Sequence, residues 1–408
     1  MGFRERCSSM VPCLLALTAC AGARPGGGAA APTPPSRSRS ARAPERTIDV
    51  EPLRVKVEQA PGGGGDVVIY DARELFDQAN EALAGGSPDL ALEVYARMRA
   101  EFPDSSLVPL AVFNSGIALE DKGDLAGAVA RYREVATLSP GTRDALDGRI
   151  RAAAVETELG RTREALAALD QLLGDRLVTD ADRIELQARR GFALLAEKRY
   201  AEAEKALAAA IALYKGGRAA HLSTDYYVAM AHYYLGEIPR RQFDEAPLRL
   251  PDEQLERDLE AKSSLMLLAK ERFEDTIILA NVYWATAAAY QIGAMQQEMW
   301  RALVAAPVPA QLTREEAGIY VAEVRNVARP YLDAALETHT KNVEIAIRHR
   351  IDTGWTEGSR QRIADLTELL AREGRGENPP PVVSPPAPAR AGAPLGDPDR
   401  YVPARIPL

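Results

Sequence analysis

Residues 120–140 read EDKGDLAGAVARYREVATLSP, and this stretch decides the fold. Gly123-Asp124 has the composition of a tight turn between two helices. A small residue, Ala128, follows where two helices must approach closely, Tyr132 comes one turn later, and Pro140 ends the unit. Two short antiparallel helices cannot bury their apolar faces alone. The pattern therefore predicts one unit of a stacked array of helix hairpins.

Copies of this unit lie on both sides at a nearly constant period. Ala91 precedes Ala128 by 37 residues (128 minus 91), and Ala165 follows Ala128 by the same distance (165 minus 128). A fourth copy contains Ala203, 38 residues further on (203 minus 165). Large and small residues and turn glycines recur in the same order around these alanines, at Leu75, Ala79, Gly86 and Tyr95, at Val112, Gly116 and Leu119, at Gly160, Leu169 and Leu172, and at Gly191, Leu194 and Leu207.

This pattern resembles the tetratricopeptide repeat (TPR) family, whose first helix carries the order W-x2-L-G-x2-Y. The usual period of that family is about 34 residues, so each linker here is longer. The resemblance implies four TPR-like repeats in residues 66–216, and Asp71 and Glu74 fit a capping box at their start. It also implies a groove, lined by the first helix of each hairpin, that accepts an extended peptide or a partner helix.

Residues 217–372 remain helical but lose the repeat. Residues 226–237 (YYVAMAHYYLGE) look like the first helix of a fifth repeat, but Pro239 interrupts the pattern before a partner helix follows. Further helices are predicted over 252–279 and 281–305. The expected fold class is all-α, a TPR helix-hairpin solenoid followed by an atypical helical C-terminal region.

Amphipathic helices are expected to continue from there to about Arg372. Thr313 and Glu316 fit a capping box, and Pro330 should kink or divide the helix that they open. Five short motifs of this region carry a family resemblance, namely Leu235-Gly236-Glu237-Ile238, Leu248-Arg249-Leu250-Pro251, Trp284-Ala285, Tyr290-Gln291-Ile292-Gly293 and Ala306-Pro307-Val308-Pro309. In these motifs the region resembles the TPR lipoproteins of myxobacteria and related deltaproteobacteria, among which are components of a gliding machinery.

Residues 1–20 have the features of a targeting segment. Arg4 and Arg6 precede an apolar run that is too short to span a membrane as a stable helix. Leu17-Thr18-Ala19-Cys20 resembles the lipobox of bacterial lipoproteins, which implies that Cys20 accepts a diacylglyceryl group. The alternative is an ordinary signal peptide. Ala21 follows Cys20, which by the same resemblance implies a lipid anchor at the periplasmic face of the outer membrane.

Two segments lack the composition of a folded core. Residues 21–65 are rich in Pro, Gly, Ser and Arg and are expected to form a disordered tether, although the alternation in 48–57 hints at a short strand. Residues 373–408 are Pro-rich and are expected to form a disordered tail. All three cysteines lie in the leader, at Cys7, Cys13 and Cys20, so no disulfide framework is expected.

Catalytic and cofactor motifs are absent from the sequence. The four histidines have no metal-ligand spacing, and the chain contains no Walker A sequence, no G-x-S-x-G elbow and no dinucleotide fingerprint. A net charge of −8 argues against a nucleic-acid partner, which requires a basic face. We therefore expect a protein that is not an enzyme and that uses no metal and no cofactor.

Two groups of residues are candidate partner sites. By resemblance to TPR domains that clamp a C-terminal carboxylate, Asn80, Asn114 and Arg151 match three peptide-binding positions, whereas Phe76 and Asp147 replace the two lysines. The alternative is that they are ordinary polar residues facing the groove. The second group is an aromatic cluster whose members cannot all face inward on one helix, so that some line an interface. Packing against the C-terminal helices is the alternative for these residues, Tyr226, Tyr227, Tyr233 and Tyr234.

These features together favour a non-catalytic scaffold that is lipid-anchored through Cys20 and organises other envelope proteins through its TPR groove. The resemblance makes a gliding machine the most specific hypothesis. One alternative is an outer-membrane protein assembly lipoprotein. Another is a cell-wall binder or an enzyme whose site lies in the C-terminal region, around residues 284–309.

Overall fold

The computed structural model describes residues 52–59, 65–216 and 222–377. This part of the chain contains two strands and thirteen helices. Strands β1 (Arg54–Gln59) and β2 (Gly65–Tyr70) form an antiparallel hairpin. The helices are α1 (Ala72–Ala84), α2 (Pro88–Glu101), α3 (Val108–Asp121), α4 (Leu125–Leu138), α5 (Arg143–Glu158), α6 (Thr162–Leu173), α7 (Asp180–Ala196), α8 (Tyr200–Lys215), α9 (Leu222–Glu245), α10 (Asp252–Ile278), α11 (Val282–Val304), α12 (Arg314–His349) and α13 (Gly354–Gly374).

Helices α1 to α8 pair in order into the four predicted repeats. We call the odd-numbered helix of each pair the front helix and its partner the back helix. The back-helix alanines that set the predicted register are all fully buried, at Ala91, Ala128, Ala165 and Ala203. At Gly116 an added Cβ would lie only 2.5 Å from the Tyr132 ring, so the backbone itself packs against the tyrosine. The predicted repeat register is therefore confirmed.

The prediction that Pro239 prevents a fifth hairpin is wrong. Helix α9 continues through Pro239 to its end, and α10 packs against it as a back helix. An added Cβ at Gly236 would lie 2.7 Å from the Phe273 ring, which repeats the contact between Gly116 and Tyr132. Helix α9 also packs against α7, α8 and α11, and this burial offsets the roughly 3 kcal/mol cost of an interior proline.

Helices α11 and α12 form a further long pair with the same kind of contact. An added Cβ at Gly293 would lie 2.6 Å from Nε2 of His339. The capping box of Thr313 and Glu316 is present at the start of α12. Pro330 does not divide this helix, because the proline is exposed and water can satisfy the carbonyl group that loses its amide partner. Helix α13 packs against α11 and α12 and ends the described array.

The β-hairpin corrects the predicted domain boundaries. Residues 54–59 belong to a strand, so the tether predicted over 21–65 is wrong at its C-terminal end. The sequence already contained the signal, since the β-branched run at 67–69 follows a glycine-rich turn. At Asp71 only half of the predicted capping box forms, because its side chain accepts from the Glu74 amide without the reciprocal bond being made. The predicted leader, most of the tether and residues 378–408 of the predicted tail lie outside the described residues.

The core of the C-terminal region is aromatic. The Trp284 ring lies at its centre, with the rings of Tyr226, Tyr233 and Tyr234 at centroid distances of 5.4, 5.1 and 5.7 Å. Edge-on and tilted contacts of this kind stabilise buried aromatic pairs. None of the helices in the described ranges has the length and apolar character needed to cross a bilayer.

Candidate functional site

The first two predicted peptide-binding residues bond to each other. Asn114 Nδ2 donates to Asn80 Oδ1 at 2.9 Å, and the Tyr95 hydroxyl donates to the same oxygen at 2.5 Å. Asn114 is only 4% exposed. Burial raises the pKa of the Tyr95 hydroxyl, so this group remains a donor. These two hydrogen bonds join α1 to α3 and to α2.

The third predicted residue, Arg151, lies in a separate contact between α3 and α5. Its guanidinium donates two hydrogen bonds to the Glu120 carboxylate, and the Tyr132 hydroxyl donates to the same carboxylate. Burial, together with the charge of Glu120, raises the pKa of Tyr132 well above its usual range. Arg151 is therefore part of an ion pair within the chain, and its burial leaves little surface for a peptide.

The same kind of polar contact continues along the array. Arg143 in α5 donates two hydrogen bonds to Asp182 in α7, both at 2.6 Å. Burial of Asp182 opposes its ionisation, but hydrogen bonds from Arg143 and Thr179 hold the pKa of its carboxyl below the usual range. Arg189 in α7 then donates to the Tyr227 hydroxyl of α9 at 3.1 Å.

These contacts form one series that we call the front-helix ladder. Its members connect α1 to α3, α3 to α5, α5 to α7 and α7 to α9. In a repeat protein each unit contacts only its neighbours, so the joints between units set curvature and stability. The structure assigns Asn80, Asn114 and Arg151 to this ladder, which corrects their placement as groove-facing residues. Their contact with a peptide stays a prediction.

The prediction that some of the four tyrosines line an interface is wrong. Tyr226, Tyr227, Tyr233 and Tyr234 are each at most 5% exposed. The inference assumed that one face of their helix meets solvent, whereas α9 is packed by α7, α8, α10 and α11 on several sides. The tyrosines belong to the aromatic core, which was the alternative interpretation.

An apolar surface on α3 escaped the sequence interpretation. Leu110, Phe113 and Ile117 follow one another at i, i+3 and i+7, so they share one side of the helix. All three are half-buried, and the Phe113 ring lies 5.1 Å from the Tyr132 ring. This spacing was the signal that could have revealed them. We call these three residues the front-helix strip.

Within the described part of the C-terminal region, the tryptophans form no exposed surface. Trp284 and Trp300 are both 1% exposed and lie in the core. His339 is fully buried, and its Nδ1 lies 3.2 Å from the Ser359 hydroxyl. Across the described ranges, no three His, Cys, Asp or Glu side chains are grouped to hold a metal ion. Cys20, the predicted lipidation site, lies outside these ranges.

Several solved structures resemble this chain. MamA (residues 41 to the end) from Desulfovibrio magneticus RS-1 is 19% identical with a TM-score of 0.34, and the match covers 49% of this chain and 96% of that one. A tetratricopeptide repeat protein from Parabacteroides merdae is 14% identical with a TM-score of 0.34, covering 72% and 98%. Yeast Tom70 is 12% identical with a TM-score of 0.23, covering 75% and 74%. No family model and no curated protein matches the sequence.

Proposed function

We propose that this protein is a non-catalytic scaffold that binds partner proteins through its front helices. The observation that carries this proposal is the front-helix strip. Half-buried apolar side chains beside a polar ladder supply an apolar contact surface on a preformed backbone. A helix or extended segment with apolar anchors is the partner that such a surface accepts.

The place of action is part of the same proposal. The lipobox resemblance at Cys20 supports a lipid anchor at the periplasmic face of the outer membrane. The resemblance of the C-terminal region to myxobacterial TPR lipoproteins extends to GltE of the gliding machinery. The scaffold would then organise envelope proteins, with gliding motility as the most specific role.

Affinity purification from detergent-solubilised membranes tests the scaffold, with three variants beside the parent. Leu110→Arg/Ile117→Arg places two charges on the strip, whereas Ala130→Arg places one on an exposed position of α4. Cys20→Ala removes the acceptor of the lipid. The thermal melting of each variant is measured first, so that only folded variants are compared.

We expect a set of envelope proteins that purifies with the parent and with Ala130→Arg but is lost with the strip variant. Cys20→Ala should move the protein out of the membrane fraction. If the strip variant is folded and still purifies with the same envelope proteins, the assignment of the front helices as the partner-binding surface is overturned. Recovery of outer-membrane assembly proteins in place of gliding proteins would instead favour the assembly-lipoprotein function.

A further inference from the structure

The β-hairpin exposes one apolar face. Val55 is paired with Ile69, and Val67 lies two residues from Ile69 on the same face of the sheet. These side chains are 63%, 56% and 61% exposed, and Leu53, just before β1, is 60% exposed. β-Branched residues favour a pleated surface that is covered on at least one side. Here that face has no cover within the described part of the chain.

The opposite face of the hairpin fixes its orientation on the array. The Tyr70 hydroxyl donates to Glu101 Oε2 at 2.7 Å, and the Tyr70 ring meets the Phe102 ring edge-on at 6.2 Å. Arg54 Nη2 donates to the Glu101 carbonyl oxygen at 2.8 Å. These contacts hold the hairpin against the end of α2, so the apolar face points away from the helices.

The hairpin also has backbone groups that can pair with another strand. The sheet has only two strands within the described ranges, so each strand has one outer edge. A two-stranded sheet is marginal on its own in water, and such edges are templates for a further strand. The contacts of Tyr70 and Arg54 keep this template in place before any partner arrives.

An acidic groove lies beside the hairpin. Its volume is about 690 Å³, and Lys56 and Tyr70 of the hairpin and the outer side of α1 line it. Glu74, Asp77 and Glu81 are exposed on that side of α1 and form no ion pair with any described residue. Arg73 and Arg97 also line the groove, and Arg97 is paired with Glu101. Of the exposed groove side chains without an ion pair among the described residues, three are acidic and only Arg73 is basic, so their net charge is negative.

The basic side chains of the hairpin and of α2 cannot neutralise this acidic row. Arg54 is bonded to the Glu101 carbonyl, Arg97 is paired with Glu101 at 2.8 Å, and Lys56 makes contacts within the chain. Within the described part of the chain, no basic side chain of the hairpin or of α2 is therefore left to pair with the acidic row.

We propose that the hairpin edge beside this groove accepts an extended segment of a partner protein whose side chains alternate between apolar and basic. Successive side chains of an added strand point to opposite faces of the sheet. The apolar ones would lie next to Val55 or Ile69, and the basic ones would face the carboxylates of α1. Main-chain hydrogen bonds supply affinity in this mode of recognition, and the alternate side chains supply specificity.

Charge and area favour this occupant over two others. Four exposed apolar side chains of this face are described, and the surface of four side chains is far smaller than the roughly 800 Å² that each partner buries in a stable dimer. A second copy of this chain would bring its own acidic row to the interface, and the two rows would repel each other. An anionic membrane surface would likewise be repelled by the acidic row of α1. The proposed surface is separate from the front-helix strip, so each of the two assignments can fail without the other.

The experiment uses a fluorescein-labelled peptide of alternating lysine and valine, titrated with the mature full-length protein and followed by anisotropy. A peptide of the same composition with all lysines before all valines tests the alternation. A peptide of alternating glutamate and valine tests the charge. The key variant is Glu74→Gln/Asp77→Gln/Glu81→Gln. Its matched control is Glu93→Gln/Glu164→Gln/Glu271→Gln, which removes three exposed carboxylates elsewhere in the array.

We expect the alternating lysine peptide to bind, and the key variant to weaken its binding about tenfold, because three exposed ion pairs are lost. The control variant and Leu110→Arg/Ile117→Arg should bind it like the parent. Val55→Thr/Ile69→Thr should weaken binding without changing the melting temperature. The proposal would be overturned if the key variant bound the alternating lysine peptide as tightly as the parent does. It would also be overturned if the parent bound the peptide with all lysines before all valines as tightly as the alternating one. Dimerisation, or binding of anionic vesicles, that depends on Val55 and Ile69 would overturn it as well.

Discussion

The Arg151 guanidinium and the Glu120 carboxylate form a two-point ion pair between neighbouring front helices. Nε donates to Oε1 at 2.8 Å and Nη2 donates to Oε2 at 2.9 Å. The two side chains are 8% and 1% exposed, so neither charge is solvated. Each charge therefore depends on the other, and the contact between α3 and α5 depends on both.

Arg151→Met should lower the free energy of unfolding by about 3–5 kcal/mol, because it leaves the Glu120 charge buried without the guanidinium. Chemical denaturation followed by circular dichroism measures the change. The double variant Glu120→Gln/Arg151→Met should recover part of the loss, since no uncompensated charge then remains.

Arg199→Met is the control for this prediction. Arg199 pairs with Glu202 at 2.7 Å on the surface, where both side chains are about half exposed. Its loss should leave the unfolding midpoint unchanged. If Arg151→Met were no more destabilising than Arg199→Met, the ladder would have no role in joining the repeats.

Ala128→Asp should abolish cooperative unfolding of the array, because it puts an unpaired charge into a fully buried helix contact that cannot relax. Ala130→Asp adds the same charge at an exposed position of the same helix. Thermal melting by circular dichroism compares the two. A parent-like transition for Ala128→Asp would contradict the repeat register.

The repeat register could be predicted because the contacts that define it are local. Gly116 and Tyr132 belong to one hairpin, and the small and large residues recur at a fixed period. The fifth hairpin could not be found in this way. Gly236 meets Phe273 across 37 residues (273 minus 236), in place of the 16 (132 minus 116) of the regular repeat, because α9 is longer and a loop follows it.

The candidate site was less predictable, because helix position gives the direction of a side chain but not its neighbours. Asn114 and Arg151 occupy groove positions by spacing, yet Asn80 and Glu120 on adjacent repeats satisfy them. For the tyrosines of α9, helical periodicity shows which residues share a face of the helix, but not how many neighbouring helices cover those faces. Both outcomes arise from contacts between repeats, which no single segment encodes.

Gly293→Ala should be destabilising by about 1–3 kcal/mol, although alanine is the better helix former. The added Cβ would lie 2.6 Å from His339 Nε2, and His339 is itself fully buried between α11 and α13. Gly318→Ala is the matched substitution in α12, where an added Cβ meets nothing within 4 Å. It should stabilise the protein by up to about 1 kcal/mol. Equal effects on the denaturation midpoint would contradict the close approach at Gly293.

Stability should fall in mild acid, in part because of His339. Burial, aided by the positive charge of Arg362, lowers the pKa of this imidazole to about 3. In the unfolded chain the pKa of histidine is about 6.5. Below that value the unfolded chain takes up a proton that the folded chain does not. The stability contributed by neutral His339 is therefore complete above about pH 6.5, and it falls by about 1.4 kcal/mol per pH unit as the pH decreases towards 3.

His339→Gln removes this proton uptake, so the variant should lose less stability than the parent when the pH is lowered from about 7 to about 5. Denaturation curves at several pH values measure the free energy of unfolding of parent and variant. The carboxylates are the same in both proteins, so their contribution cancels in the difference. His349→Gln is the matched control, because it makes the same substitution at an exposed histidine in the last turn of the same helix. If the His339→Gln difference were independent of pH, the buried imidazole would not be neutral at the core of the C-terminal region.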